Sequence, residues 1–196
     1  MNNYKKSIEI INNSNFTIKG LKTFIGREGY GVNANLYHKG KKVAFLLDSG
    51  NGGCLDIDWL MSRNGDNYFY SEIVKQAKES MKELITSLPK TMWSELGEQF
   101  ISDGLDEYTY DEESVCNKLI DEALKVKDYN KWLRNVVVFN KKINEIERYK
   151  APKSDLNKTF RFKEGVMSGR EHFSKLGVIL NDLPKQEAYD YFNQYK

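Results

Sequence analysis

Alternation of apolar and polar residues dominates the first third of the chain. Every second residue is apolar from Val32 to Leu36, and again from Leu55 to Trp59. A period of two predicts strands that bury one face. Phe16–Phe24 and Val43–Leu47 are expected to add two strands, and Lys39-Gly40 marks a hairpin turn. Four strands so close in sequence predict an antiparallel meander with one face in water.

Glycines in this region predict interruptions of the strands. Gly20 breaks the alternation of the first strand, which is typical of a β-bulge. Gly26–Gly31 is expected to form a tight turn, and Asp48–Gly53 a long hairpin loop. The second loop matches neither the P-loop nor the dinucleotide-binding pattern, so its glycines do not indicate a phosphate site. Residues 5–11 are expected to add an edge strand before the meander.

The period changes after residue 70, where helical spacing begins. Ser71 is a suitable N-cap for a helix that runs to about Ser87. A weaker helical stretch follows from Pro89 to Phe100, interrupted by Gly97, and a third helix runs from Asp111 or Glu112 to about Lys127. The first of these helices has an apolar stripe that is expected to be buried: Ile73, Val74, Ala77, Met81, Leu84 and Ile85.

The C-terminal third mixes both periods. Val136–Phe139 is strongly β-prone, and Ile143–Tyr149 is its expected hairpin partner, although a continuous helix over 142–150 is an alternative. Lys158–Lys163 predicts a short strand. Ser168 is expected to cap a helix toward Leu176. Pro184 is expected at the first position of a last helix, whose apolar side is Ala188, Tyr191, Phe192 and Tyr195.

These elements predict an α+β protein: an N-terminal antiparallel β-meander, a helical middle, and a C-terminal mixed α/β segment. The corresponding regions are 1–66 (sheet), 67–133 (helices) and 134–196 (hairpin and helices), either as separate parts or within one compact domain. With 196 residues, 40% of them hydrophobic, the chain is long enough to bury a substantial core.

Cysteine content and the lack of long apolar runs indicate the cellular compartment. Two cysteines are too few for a disulfide framework, and no apolar run resembles a signal peptide or a membrane span. We therefore expect a reducing, cytoplasmic compartment and no membrane association. The net charge of +2 neither requires nor excludes nucleic acid.

The residues that most often carry catalysis are sparse. His38 lies beside the predicted hairpin turn, where exposure is the simplest expectation, and His172 falls on a short helix. Cys116 fits a helical pattern as a small buried residue, whereas Cys54 borders a glycine loop. None of them has a nucleophile or base in a recognisable motif. The sequence therefore favours a protein that is not an enzyme, with no catalytic residue and no cofactor.

Three aspartates, Asp48, Asp56 and Asp58, are candidate ligands of a metal ion. Asp56 and Asp58 share a strand face, and Asp48 precedes them by one loop. Convergent carboxylates of this kind hold metal ions in phosphodiesterases and nucleases. Alternating aspartates are equally the ordinary wet face of an antiparallel strand, and this second interpretation is favoured.

Two charged segments suggest partners. An acidic block lies between residues 103 and 113, and its carboxylates could imitate a phosphate backbone in the basic channel of a nuclease. Asp106, Glu107, Glu112 and Glu113 are the residues we expect to bind there. A basic segment over 141–163 carries interleaved aromatic residues, as nucleic-acid-binding surfaces do. Its candidate residues are Lys141, Lys142, Arg148, Lys150, Lys153, Arg161 and Lys163.

Residues 20–59 carry a pattern resembling a known class of proteins. From Gly20 it runs G-L-K-T-F-x-G-R-E-G-Y-G-x-N-A-x-L-Y, followed by G-K-K-V-A-F and D-x-x-N-G-G. This pattern, with the segment from Lys150 to Pro184, resembles small phage and mobile-element proteins of Firmicutes, the anti-CRISPR inhibitors of type II RNA-guided nucleases. The resemblance implies a protein that binds the nuclease, alone or in its RNA-bound form, and prevents DNA engagement. It assigns no individual residue.

The leading hypothesis is therefore a non-enzymatic inhibitor, encoded by a phage or mobile element, that binds a host defence nuclease and blocks its nucleic-acid channel. One alternative is a nucleic-acid-binding accessory protein that uses the basic segment. The other is a metal-dependent phosphodiesterase or nuclease built on Asp48, Asp56 and Asp58.

Overall fold

The structure, a computed structural model, describes residues 2–96, 107–150 and 167–195. The chain forms two compact units, Met1–Ala123 and Leu124–Lys196. The predicted α+β class is confirmed, with an antiparallel N-terminal sheet, helices after it, and a C-terminal α/β segment. No helix in the described ranges is both long enough and apolar enough to cross a bilayer.

The N-terminal unit is built on the predicted meander. Its strands are β1 (Phe16–Ile25), β2 (Tyr30–His38), β3 (Lys41–Asp48) and β4 (Asp56–Trp59), and they lie in the order β1-β2-β3-β4 with antiparallel pairing throughout. Lys39 and Gly40 both have positive φ, at 47° and 76°, as a two-residue hairpin turn requires.

The predicted bulge in β1 is also confirmed. The register of β1 against β2 shifts between Lys19 and Lys22, and Gly20 has a φ of 66°. A Cβ at Gly20 would lie 2.7 Å from the side-chain nitrogen of Asn35. Glycine is therefore favoured here by both the backbone angle and the space.

The sheet has one buried face and one open face. Residues paired across antiparallel strands point to the same side, so the pairing assigns each residue to one of the two faces. The buried face carries Phe16, Ala34, Leu36, Leu46 and Trp59. The helices of the same unit contribute further buried side chains: Ile11, Val74, Ala77, Met81, Val115 and Leu119.

A small hairpin that was not predicted follows the meander. It consists of β5 (Met61–Asn64) and β6 (Asn67–Tyr70), with Gly65 at a φ of 60° in the turn. The two loop residues are Gly65-Asp66, and glycine at the first loop position is a typical hairpin signal. Both strands have only four residues, and neither shows a clear alternation of apolar and polar positions.

The expected edge strand over residues 5–11 is wrong, since this segment is helix α1 (Asn3–Asn12). The side chain of Asn2 caps the helix by accepting a hydrogen bond from the amide of Lys5 at 2.9 Å. Ser7 and Ile11, four residues apart, are fully buried. Helical spacing of two buried positions therefore prevails over the β-branched composition of the segment.

Helix α2 (Glu72–Ser87) begins at the predicted cap, where the Ser71 hydroxyl accepts from the amide of Val74. Val74, Ala77 and Met81 are its buried residues. Ile73 is 47% exposed, so the buried stripe is narrower than predicted.

The helix expected over 89–100 is also wrong for its described part. Residues Thr91–Met92 form strand β7, which pairs with β8 (Glu107–Tyr108), and Trp93–Leu96 form a single 3₁₀ turn. The buried Thr91 hydroxyl lies 3.1 Å from the carbonyl oxygen of Pro89 and 3.2 Å from the Tyr110 hydroxyl. These side-chain bonds hold an extended backbone where helical propensity is weak.

Helix α3 (Glu112–Trp132) starts where predicted but ends at Trp132 instead of near Lys127. Asp111 and Ser114 cap its start reciprocally. The Ser114 amide donates to the Asp111 carboxylate at 2.7 Å, and the Asp111 amide donates to the Ser114 hydroxyl at 2.8 Å.

The C-terminal unit contains a three-stranded antiparallel sheet in the order β10-β9-β11. The strands are β9 (Val136–Asn140), β10 (Glu145–Tyr149) and β11 (Gly177–Ile179). Helix α4 (Met167–Leu176) directly precedes β11, and helix α5 (Lys185–Tyr195) follows it. The predicted hairpin is confirmed over the alternative helix. Ser168 lies inside α4 instead of capping it, Pro184 directly precedes α5, and the strand expected over 158–163 lies outside the described residues.

Strand β9 is apolar at consecutive positions because both of its faces are covered. Val137 and Phe139 belong to one cluster, with Tyr129, Leu133, Leu180, Ala188 and Phe192. Val136 and Val138 belong to another, with Ile179, and Phe173 and Leu176 pack against it.

A single buried amide binds three backbone groups of the segment 133–137, between α3 and β9. Asn181 is 1% exposed. Its oxygen accepts from the Val137 amide at 2.8 Å, and its nitrogen donates to the carbonyl oxygens of Leu133 at 3.2 Å and Asn135 at 2.9 Å. One side chain therefore satisfies polar groups that would otherwise be buried without partners.

Candidate functional site

The expectation that His38 is exposed is wrong. His38 is 4% exposed and stacks on Phe16, with 4.8 Å between ring centroids. It lies opposite Phe16 at the end of β2, on the buried face of the sheet. Burial, with a smaller contribution from Lys39, lowers the pKa of His38. Its Nε2 atom has no hydrogen-bond partner within the described ranges, which indicates a core residue instead of a catalytic base.

Acidification is expected to destabilise the protein through this histidine. Because the pKa of His38 is lower in the folded protein, the unfolded chain binds the additional proton, and the free energy of unfolding falls as the pH drops below about 6.5. Urea unfolding at about pH 7.5 and pH 5.5 should show the loss, and His38→Phe should reduce it. A His172→Phe variant is the control, since His172 is exposed on α4. An unchanged pH dependence in His38→Phe would contradict the assignment.

The cysteines are placed as predicted. Cys116 is fully buried in α3, and burial raises the pKa of its thiol to about 12, with the carboxylates of Glu112 and Asp111 adding to the shift. Such a thiol is not ionised at neutral pH and cannot serve as a nucleophile. Cys54 is exposed in the loop between β3 and β4.

The three aspartates of the metal hypothesis do not converge. Asp56 and Asp58 lie on the open face of the sheet, paired with Leu47 and Phe45. Asp48 follows Leu47 and points to the other side, where its carboxylate accepts from the Gly50 amide at 2.8 Å. In the described part of the chain no group of three His, Cys, Asp or Glu side chains is arranged to hold a metal. The basis of the metal-dependent hypothesis is therefore absent here.

The acidic residues Glu112 and Glu113 are engaged inside the N-terminal unit. Glu113 accepts from the Leu55 amide at 2.9 Å, and Glu112 accepts from the indole nitrogen of Trp59 at 3.2 Å. Both carboxylates therefore tie the start of α3 to β4. Glu107 is exposed and pairs with Lys90 at 3.1 Å, while Asp106 lies outside the described residues.

The basic residues of the C-terminal unit are spread along one hairpin. Lys141 and Lys142 are exposed in the turn, and Lys150 is exposed after β10. Arg148 pairs with Val137, and its guanidinium lies 5.1 Å from the ring centroid of Trp132. Lys153, Arg161 and Lys163 lie outside the described residues. The accessory-protein hypothesis thus keeps an exposed lysine pair at the turn as its clearest feature.

The structure adds an exposed apolar site that the sequence did not reveal, at the end of the β1–β2 hairpin. Ile25 is 83% exposed and Tyr30, directly opposite, is 80% exposed. Phe24 is 36% exposed beside them, with its ring across Gly31. We call Ile25 and Tyr30 the hairpin tip; Phe24, opposite Gly31, points to the other face of the sheet. Large apolar side chains presented together at a surface are typical of protein interfaces.

Two glycine-rich loops support the hairpin tip by packing backbone on backbone. The Glu28 amide donates to the Gly50 carbonyl at 2.9 Å, and the Arg27 amide donates to the side-chain oxygen of Asn51 at 3.0 Å. A Cβ at Gly26 would lie 2.5 Å from the Gly50 carbonyl oxygen. We call residues 26–29 and 49–53 the paired glycine loops. Gly26 and Gly50 allow this close approach, whereas a Cβ at Gly29 or Gly53 would meet nothing within 4 Å.

The open sheet face is the second surface that sequence reasoning missed. Its rows follow from the pairing: Lys19 with Asn35, Phe45 and Asp58, and Lys22 with Asn33, Leu47 and Asp56. Tyr37 pairs with Lys42 on the same side. We define the open sheet face by these residues. The alternation showed that one face is wet, but not which chemical groups would lie side by side.

Comparisons with protein-family models, characterised protein sequences and solved structures give no match for this chain. Its function is therefore inferred from the surfaces described above.

Proposed function

We propose that the chain is a non-enzymatic inhibitor, encoded by a phage or mobile element, that binds a host defence nuclease of the type II CRISPR effector kind and blocks its engagement of nucleic acid. The observation that carries this proposal is the hairpin tip, where Ile25 and Tyr30 stay more than three-quarters exposed. Such exposure is unfavourable in water and is compensated when a partner covers the side chains.

The support beneath the tip favours binding as well. A few large, buried anchors contribute most of the energy of a protein interface, and tyrosine is prominent among them. Rigid presentation reduces the entropy lost on association. The paired glycine loops, with their backbone hydrogen bonds, supply that rigidity.

The resemblance to anti-CRISPR inhibitors points to the same part of the chain. Its residues, Gly20–Trp59, include the hairpin tip and both paired glycine loops. The acidic segment would then face the basic channel of the nuclease. Because Glu112 and Glu113 hold β4, reversing their charges would disturb folding, and Glu107 is the cleaner residue for a charge test.

The proposal predicts loss of inhibition in an Ile25→Ser, Tyr30→Ser variant. Each replacement removes an interface anchor, so the affinity for the nuclease should fall at least about tenfold, or roughly 1.4 kcal/mol. A panel of type II nucleases loaded with guide RNA would be assayed for DNA cleavage and for binding by biolayer interferometry.

Ile143→Ser is the matched control, since Ile143 is 51% exposed on a hairpin of the C-terminal unit. It should inhibit as the unmodified protein does. Equal inhibition by the double variant would exclude the hairpin tip, and failure to bind any nuclease of the panel would contradict the proposed function.

A further inference from the structure

The central strand of the N-terminal sheet carries two amides on the open sheet face. Asparagine is disfavoured in strands, yet Asn33 and Asn35 occupy the middle of β2. Asn35 makes only a 3.5 Å contact to the Lys19 carbonyl oxygen, at the limit for a hydrogen bond. Both side chains are half-buried, and β2, which carries them, pairs with β1 on one edge and with β3 on the other. Departures from a local preference are expected at functional sites.

Two aromatic rings border these amides. Phe45 lies directly opposite Asn35, and Tyr37 follows Asn35 along the same side of β2. Both rings are partly exposed, and the Lys19 ammonium lies 4.6 Å from the ring centroid of Tyr37. An accessible ring beside an amide and a cation offers a base both a stacking surface and hydrogen-bonding groups.

The charges on this face are divided between its edges. Lys19 and Lys22 lie on β1 and Lys42 lies on β3 opposite Tyr37, whereas Asp56 and Asp58 lie on β4. None of these three lysines forms an ion pair within the described ranges. A polyanion would therefore be attracted over β1–β3 and repelled from β4.

We propose that the open sheet face binds single-stranded nucleic acid. The lysines contact phosphates, Tyr37 and Phe45 stack on bases, and Asn33 and Asn35 hydrogen-bond to base edges. A duplex hides its base faces within its own stack, so this chemistry selects an unpaired strand. RNA and DNA share the chemistry. The site is separate from the hairpin tip, because Ile25 and Tyr30 align with Val32 on the opposite side of the sheet.

The test is fluorescence anisotropy with labelled oligonucleotides of about 12 nucleotides, a length within the usual range for single-strand sites. The probes are oligo-U, oligo-dT and a duplex of equal length, each titrated at several salt concentrations. Single strands should bind more tightly than the duplex, and a comparison of oligo-U with oligo-dT identifies the preferred sugar. No binding of either single strand at low salt, or equal binding of the duplex, would overturn the proposal.

An Asn33→Asp, Asn35→Asp variant keeps the shape of both side chains, removes the amide donors that would bind base edges, and adds negative charge that repels a polyanion. It should weaken binding at least about fivefold, the effect of losing one good base contact. Lys19→Ser, Lys22→Ser is the second variant, and each lysine removed should reduce the slope of log K against log salt by about 0.7. Unchanged affinity in both variants would overturn the proposal.

Lys141→Ser, Lys142→Ser is the control of equal charge, on the hairpin turn of the C-terminal unit. It should bind as the unmodified protein does. Loss of binding in this variant alone would overturn the proposal in favour of the basic segment. Circular dichroism and thermal unfolding establish that each variant is folded.

The same variants separate this inference from nuclease inhibition. The Asn33→Asp, Asn35→Asp variant should still bind the nuclease, and the Ile25→Ser, Tyr30→Ser variant should still bind the oligonucleotide. Failure of one activity therefore leaves the other measurable.

Discussion

Asn181→Ala is expected to destabilise the C-terminal unit by about 3–5 kcal/mol. The variant leaves the Val137 amide and the carbonyl oxygens of Leu133 and Asn135 without their partner. Each buried backbone group that loses its hydrogen bond costs about 1–3 kcal/mol, and the removed volume adds a small cavity. Urea unfolding measures the loss, and hydrogen exchange of the Val137 amide should accelerate in parallel.

Two further variants show whether hydrogen bonding is the cause. Asn181→Asp keeps the side-chain shape and the acceptor for the Val137 amide. Its carboxylate would repel the carbonyl oxygens of Leu133 and Asn135, so this variant should also be strongly destabilised at neutral pH. Asn193→Ala, on the exposed side of α5, should change stability by less than about 0.5 kcal/mol. A small effect of Asn181→Asp would mean that packing, and not the three bonds, determines the role of Asn181.

Gly26→Ala is expected to cost about 1–3 kcal/mol, because the new Cβ meets backbone that cannot rotate away. It would lie 2.5 Å from the Gly50 carbonyl oxygen and 2.6 Å from that of Ser49. Separation of the paired glycine loops should also weaken nuclease binding, although no side chain of the hairpin tip is removed. Thermal unfolding and the binding assay described above measure the two effects.

Gly29→Ala is the matched control in the same loop. A Cβ at Gly29 meets nothing within 4 Å, so the variant should retain both stability and binding. Equal behaviour of the two variants would show that the loops do not depend on close backbone contact.

The sequence predicted the elements whose signals are local. Ser71 caps α2, Lys39-Gly40 forms the turn of the β2–β3 hairpin, and Gly20 marks the bulge. The run Val136–Phe139 indicated a strand, and its lack of alternation agrees with the cover found on both faces. Each of these signals depends on a preference of the residue itself.

The errors arose where a distant partner decides the structure. Thr91 is extended because it pairs with Tyr108 and its hydroxyl bonds to that of Tyr110, and His38 is buried because Phe16 lies opposite. Neither contact is visible from neighbouring residues. The candidate sites were missed for the same reason. Pairing brings Ile25 to Tyr30 and Lys19 to Asn35, whereas the acidic and basic segments stood out as runs along the chain.

The bulge at Gly20 has a consequence for self-assembly. Strand β1 ends the order of the N-terminal sheet, and the outer strand of a sheet can recruit a second copy of the chain into a continuous ladder. The bulge interrupts the regular spacing of amides and carbonyls in β1, and Lys19 and Lys22 flank it. Two copies meeting antiparallel at this point would bring lysine against lysine. The edge that the fold leaves uncovered is thereby a poor template for fibrils, and the protein can keep its binding surfaces open without polymerising along that edge.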